Sequence, residues 1–323
     1  MNNLRDFPFP KPDLAKPDLQ KRVGDVPGMY LGKPSIIFKN PDDFVIQMKY
    51  DGIRGLLGFD SSGKYVMVSR NNNVLGSPNI KHIVDFRGSA GDKFPKGVVL
   101  DGEVYSDEVG KGKAFADFNE MGGVVRRESS YDPRAELMYF VIFDAYFPDE
   151  PDLVYSERMN RILKYHSRMT PANRKLFRVV EPVASSKLKL PRGSSVVNTL
   201  ESALEYAENE GFEGIMLRNL RLPYMVGKAG NSLYKLKSFF DDEFEVVGWE
   251  EAQKKDAGTP VWICITPEGK TFKARPLGTL EARKKLWKNR HDYLGKDLTV
   301  RYQELDKDGT PRFGTGVAFR DYE

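Results

Sequence analysis

The sequence predicts an α+β protein in two domains, strands with flanking helices through residue 240 and a small β-barrel over 241–323. Three observations carry that expectation. The chain has 323 residues, beyond the roughly 250–300 at which a single core stops growing. Up to Phe240, short runs of β-branched and aromatic residues bounded by Gly, Asn, Asp or Pro outnumber helical repeats. From Asp241 onward five short strands and one helix fall within roughly 80 residues, which suits a barrel of the OB type.

The strand-like runs of the first domain are Phe44 to Lys49, Tyr65 to Ser69, Gly97 to Tyr105, Leu137 to Phe143, Gly214 to Arg218 and Leu233 to Lys237. Leu200, Ala203, Leu204 and Ala207 follow the i, i+3, i+4, i+7 rule of a helix, with Asn198 as its cap and Gly211 as its stop. Met159, Ile162, Leu163 and His166 repeat that spacing after Ser156. The segment Lys111 to Arg134 is Gly-rich and basic and reads as a loop, either pressing on a polyanion or merely connecting. In the second domain, strands are expected at Phe244 to Gly248, Val261 to Ile265, Thr271 to Arg275, Leu298 to Tyr302 and Gly316 to Phe319. A hairpin turn is expected at Pro267-Glu268-Gly269-Lys270 and a helix over Thr279 to Asn289.

Composition narrows the classes of function. The formal charge is only +4, so any polyanion footprint must come from local arrangement, such as the helix face carrying Arg283, Lys284, Lys285, Lys288 and Arg290. That face sits in a domain whose acids and bases nearly balance, and a solvated surface explains it equally well. The single cysteine, Cys264, excludes an internal disulfide or multi-cysteine zinc site and is placed in a buried strand. The three histidines lack ligand spacing. No run approaches ~18 apolar residues and no signal-peptide core precedes Leu14, so neither membrane span nor secretion is expected, and the location is read as cytoplasmic.

The sharpest motif is Lys49-Tyr50-Asp51-Gly52-Ile53-Arg54, read as K-x-D-G-x-R directly after an apolar strand. Four specified positions match by chance on the order of once in 10⁵ windows. Further motifs follow in order: Ser69-Arg70-Asn71, Leu100-Asp101-Gly102-Glu103, Phe140 to Asp144, Glu213 to Arg218, Tyr234-Lys235-Leu236-Lys237, and Arg312-Phe313 through Arg320. This set resembles that of ATP-dependent DNA ligases of the minimal viral and bacterial type, within the covalent nucleotidyltransferase superfamily. The resemblance runs from about Lys11 almost to the end.

The resemblance implies an adenylation (nucleotidyltransferase) domain of antiparallel sheets with flanking helices over 1–240 and an OB-fold domain over 241–323. It also implies roles. Lys49 is the nucleophile that becomes AMP-lysine. Glu103 and Glu213 hold Mg²⁺, for which Mn²⁺ can substitute, and the nucleotide. Lys235 and Lys237 act on the phosphates, Arg54 and Arg70 on ribose and phosphate, and Phe143 stacks on adenine. Arg312 and Arg320 approach ATP, with movement of the OB domain between steps.

Elementary chemistry is consistent with these roles. Neutralising a free lysine of pKa near 10.4 at pH 7 costs about 4.6 kcal/mol, so a nucleophilic Lys49 needs burial or a nearby cation. Lys235 and Lys237 alternate with Leu236 and therefore share a strand face. Two separated glutamates suit Mg²⁺, which keeps waters and phosphate oxygens in its shell. Solvated strand-end acids, a half-exposed strand and a core phenylalanine are the plainer readings of these same residues.

The expected function is sealing of 3′-hydroxyl/5′-phosphate nicks in duplex DNA with ATP, in replication, repair or recombination, by a monomer. Two departures stand out: Gln47 occupies a position where the family usually has glutamate, and Gly314 one where proline is more usual. The rivals are an RNA ligase or GTP-using capping enzyme and a non-catalytic OB-type binder. The near-match Gly58 to Lys64 is not a phosphate-binding P-loop, since Tyr65 stands where Ser or Thr is required and a hairpin is expected there.

Overall fold

The computed structural model describes residues 41–60, 64–69, 73–86, 94–95, 97–110, 112–183, 196–226, 232–306 and 308–320. In chain order the strands are β1 (Phe44–Lys49), β2 (Ile53–Phe59), β3 (Tyr65–Ser69), β4 (Val99–Tyr105), β5 (Tyr139–Tyr146), β6 (Phe177–Val179), β7 (Gly214–Asn219), β8 (Leu233–Leu236), β9 (Phe240–Glu251), β10 (Pro260–Ile265), β11 (Thr271–Pro276), β12 (Asp297–Tyr302) and β13 (Thr315–Phe319). The helices are α1 (Lys81–Val84), α2 (Phe118–Arg126), α3 (Tyr155–His166), α4 (Pro171–Leu176), α5 (Val196–Asn209) and α6 (Leu280–Lys288). The chain divides into two compact units, Met1–Lys237 and Ser238–Glu323.

The first unit holds two sheets. Five strands run in the order β3-β2-β4-β5-β6 and three in the order β1-β7-β8. All pairings are antiparallel except β5 with β6. In β1 the side chains alternate: Phe44, Ile46 and Met48 pack with Leu200, Ala203, Leu204 and Ala207 of α5, which leaves Gln47 and Lys49 on the opposite face. In β4, Leu100 and Val104 enter the large core with Phe140, Ile142 and Phe177, so Asp101, Glu103 and Tyr105 share the other face.

A β-bulge in β5 changes that alternation. Asp101 lies opposite Asp144 and Gly102 opposite Ile142, so Phe143 is the extra residue with no partner on β4. Phe143 keeps the face of Tyr139 and Val141, and Asp144 shares the face of Asp101. Two consecutive side chains thus point the same way, as a bulge allows. Gly102 is required here, because a Cβ would lie 2.4 Å from the Val141 carbonyl and 2.6 Å from the Phe140 ring.

Several expectations need correction. The segment Lys111 to Arg134 is not a plain loop: it contains α2, whose Met121, Val124 and Val125 are fully buried. Asp117 caps this helix by accepting from the Glu120 N–H at 2.8 Å. Asn198 does not cap α5, which begins at Val196, although Gly211 (φ 85°) does follow its end. Helix α3 starts at Tyr155, ahead of Ser156, and its inward face uses Tyr155, Arg158, Met159 and Ile162 while Leu163 is exposed.

The second unit is a closed five-stranded barrel, β10-β11-β13-β12-β9, with α6 between β11 and β12. Trp262, Cys264, Val246, Ala274 and Val300 are fully buried in its interior. Burial pushes the Cys264 thiol up to about 12, which leaves it an inert packing group. Thr279 caps α6 by accepting from the Ala282 N–H at 3.2 Å. The architecture is the expected α+β arrangement of antiparallel sheets followed by an OB-type barrel.

Candidate active site

Three strand ends of the small sheet bring Lys49, Glu213 and Lys237 together. Lys49 ends β1 and stands opposite Gly214, which opens β7, and the Glu213 N–H donates to the Lys49 carbonyl at 3.0 Å. Gly214 has φ 146°, and a Cβ there would lie 2.2 Å from the Leu236 carbonyl. Only glycine lets β7 approach β8 so closely, and that approach delivers Lys237 to Glu213. Glu213 Oε2 accepts from Lys49 Nζ, and Glu213 Oε1 is ion-paired with Lys237 Nζ. One carboxylate is therefore shared by two ammonium groups. Lys235 lies opposite Met216 in β8 and is half-buried.

The large sheet supplies the facing wall. Gly52 follows Lys49 where the chain turns against β4, since a Cβ would sit 2.6 Å from the Val104 carbonyl and 2.7 Å from Glu103 Cγ. Glu103 is the half-buried carboxyl of that wall; burial pushes it up to about 7, against the pull of Lys49 and Arg54. Arg54 is held in a fork by Asp101, with Nε donating to Oδ1 at 2.9 Å and Nη2 to Oδ2 at 2.5 Å. Tyr224 Oη donates to the same Asp101 Oδ2 at 2.7 Å. The Arg54 guanidinium stands 5.4 Å from the Phe143 ring centroid.

Beneath Phe143 lies a charged cluster that sequence reasoning did not single out. Asp144 is fully buried and accepts from Arg158 Nε at 2.8 Å, Arg158 Nη2 at 2.9 Å and Arg218 Nη1 at 2.7 Å. Arg218 was visible only as the last residue of a motif, and Arg158 hid among the polar residues of α3. Gln47 is buried as well, and its Nε2 donates to Tyr155 Oη at 2.5 Å.

The remaining expected residues divide by location. Arg70 lies outside the described residues. Arg312 and Arg320 belong to the second unit, where Arg312 pairs with Glu304 and Arg320 Nε donates to Glu243 Oε1 at 2.7 Å. Arg283 of the expected basic helix face pairs with Asp256 at 3.0 Å, and Arg290 lies over Trp287, while Lys284, Lys285 and Lys288 are exposed.

A carboxylate shared by two lysines and an arginine beside an aromatic ring set charge next to a flat apolar face, a chemistry able to receive a ligand with both an anionic and an aromatic part. The sequence profile described as "ATP dependent DNA ligase domain" matches residues 31–237. The chain belongs to that family. Among its relatives, the DNA ligase of African swine fever virus (isolate Tick/South Africa/Pretoriuskop Pr4/1996) is 27% identical over 317 residues, covering 89% of this chain and 66% of the viral protein. The DNA ligase of Archaeoglobus fulgidus is 25% identical over 305 residues, covering 85% of this chain and 50% of that one. This ligase-family chain thus spans about two thirds or less of the length of these curated relatives. A solved Lig E DNA ligase has the same fold, with a TM-score of 0.66 at 23% identity, covering 96% of this chain and 98% of that one.

Among the described residues no helix is long and apolar enough to cross a membrane. No cluster of three or more metal-type side chains occurs among them either. The donor chemistry nevertheless fits Mg²⁺. Glu103 offers hard oxygens at the cleft and no described residue hydrogen-bonds to its carboxyl, whereas both oxygens of Glu213 are engaged by lysines.

Proposed function

We propose that the chain is an ATP-dependent DNA ligase that seals 3′-hydroxyl/5′-phosphate nicks in duplex DNA through lysyl-AMP on Lys49, acting as a monomer. The observation that carries the reading is the Glu213 carboxylate shared between Lys49 and Lys237. Lys49 must be neutral to attack. With two ammonium groups on one carboxylate, loss of the Lys49 proton leaves the Glu213–Lys237 pair intact, so the neutral amine costs less than it would beside a carboxylate of its own.

Lys49 Nζ attacks the α-phosphorus of ATP, the bond to the β-phosphate oxygen breaks and pyrophosphate leaves. An oxygen of the 5′-phosphate at the nick then attacks the AMP phosphorus and releases the lysine. The 3′-hydroxyl finally attacks that 5′-phosphorus and AMP leaves, closing the strand. Lys237 and Lys235 balance charge on the phosphates, Arg54 and Arg70 contact sugar and phosphate, and Phe143 stacks on adenine. Arg312 and Arg320 act on the triphosphate. Glu103 would hold Mg²⁺, which when bound neutralises phosphate charge, and Glu213 would join it only by releasing one of the two lysines its oxygens engage.

Label from α-labelled ATP is expected on the wild type with Mg²⁺ and absent from Lys49→Ala. An unlabelled, AMP-free wild type would sink the reading. Nicked DNA and nicked RNA duplexes, run in parallel, separate the DNA ligase from an RNA-sealing relative.

A further inference from the structure

We propose that Gln47 and Tyr155 are positioning residues for the nucleotide base, acting as a two-bond chain that holds the backbone of Phe143. Gln47 Nε2 donates to Tyr155 Oη at 2.5 Å, and Tyr155 Oη donates to the Phe143 carbonyl at 3.2 Å. Phe143 is the extra residue of the β5 bulge, opposite nothing on β4. Its backbone lacks the register that fixes its neighbours, and the Tyr155 hydroxyl supplies a fixed point there. The inference rests on the reading of this cleft as the adenylylation site, with Phe143 under the base.

Tyr155 is well placed to be rigid. It is 3% exposed and opens α3, where its N–H donates to the Leu222 carbonyl at 3.0 Å. The guanidinium groups of Arg218 and Arg158 lie 5.0 Å and 5.5 Å from its ring centroid, and both are themselves held by Asp144. Gln47 shares a face of β1 with Lys49, so the chain ties the nucleophile's own strand to the residue beneath the base.

Direction is the point of having glutamine here. A phenol carries one proton. Because the amide donates to the phenol oxygen, that proton stays available for the Phe143 carbonyl. A carboxylate at position 47 has no N–H, and it would draw the Tyr155 proton to itself in a charge-assisted bond. An almost isosteric change would thereby reverse the first bond and break the second. This gives a physical meaning to the departure at Gln47.

The test measures lysyl-AMP formation against ATP concentration, using the full chain as wild type, Gln47→Glu, Tyr155→Phe, Phe143→Ala and Tyr155→Phe combined with Phe143→Ala. Each single variant of the pair is expected to raise the half-saturating ATP concentration about five- to tenfold, the range of one net hydrogen bond. The maximal rate should stay within about twofold, since Lys49 is untouched. Tyr155→Phe should add nothing in the Phe143→Ala background. Thermal melts of Tyr155→Phe, which deletes one oxygen, check that the variant folds. An unchanged ATP requirement, additive losses, or a loss confined to the maximal rate would overturn the inference while the ligase reading stood. A wild type that takes no label would overturn the adenylylation reading itself.

Discussion

At the level of single residues, the site depends on two glycines as much as on its charged groups. Gly52 lets the turn after Lys49 pass against Glu103, and Gly214 lets β7 close on the end of β8. Gly52→Ala should cost about 1–3 kcal/mol by overpacking, read from urea unfolding, and should slow adenylylation as well. Glu213→Gln removes the carboxylate shared by Lys49 and Lys237. Single electrostatic groups in active sites are commonly worth about 10²–10³ in rate, and a loss of that size in lysyl-AMP formation is expected. A variant within about twofold of wild type would show that the carboxylate serves only folding. Motif order picks out Lys49, Arg54, Glu103, Phe143, Glu213 and Lys237 as candidates. The contacts among them were not legible, because Glu213 reaches two lysines through strand pairing, and no linear spacing reports that pairing. The Asp144–Arg158–Arg218 cluster was invisible for the same reason.

At the level of elements, the turn after α2 shows how polar residues replace a missing core. Asn79 is fully buried and donates to the carbonyls of Val124 and Ser130 at 2.9 and 3.1 Å, while its Oδ1 accepts from the Asp132 N–H at 2.7 Å. Asp132 in turn accepts from Arg134 Nε and Nη2 at 3.0 and 2.8 Å, and this guanidinium holds its carboxyl down to about 2. A depressed folded pKa means stability that is complete above the ordinary carboxylate value of 3.8 and is lost as pH falls toward about 2. Asp132→Asn should therefore cost about 1–3 kcal/mol at pH 7, a charged hydrogen-bonding pair's worth, and most of the difference from wild type should be gone by pH 2. A cost that persists unchanged at pH 2 would contradict the assignment. Helix α2 itself escaped the sequence reading because Gly122 and Gly123 sit mid-helix, where glycine lowers helix propensity. Its apolar residues are nonetheless buried, and Met121→Ala is expected to cost about 2–5 kcal/mol. Strand β2 was obscured by Gly55 and Gly58, and β6 has only three residues. Strand β9 starts four residues earlier than expected: Asp241 to Glu243 are exposed and acidic and so do not read as strand, yet with Phe240 they pair with β12.

On the scale of the whole molecule, the two units have separate cores. Trp262 fills the barrel with Phe244, Phe272 and Val300, and none of these belongs to the clusters of the first unit. Trp262→Ala should lower a barrel transition in calorimetry, by about 3–5 kcal/mol of stability, and leave the transition of the first unit in place. A single transition that shifts as a whole would show that the units unfold together. The α+β class and the OB-type barrel were legible in the sequence because strand periodicity and turn chemistry are local. The division of the first unit into two sheets was not, because it is set by which strands pair across long stretches of chain.

The central claim is that Lys49 carries AMP between ATP and the nick. The direct measurement supplies the full-length Lys49→Ala variant with two duplexes, one with an ordinary 5′-phosphate nick plus ATP, the other with a pre-adenylylated 5′-phosphate and no ATP. The account predicts no sealing of the first and sealing of the second, with Mg²⁺ in both. Sealing of the ordinary nick by the variant would contradict it.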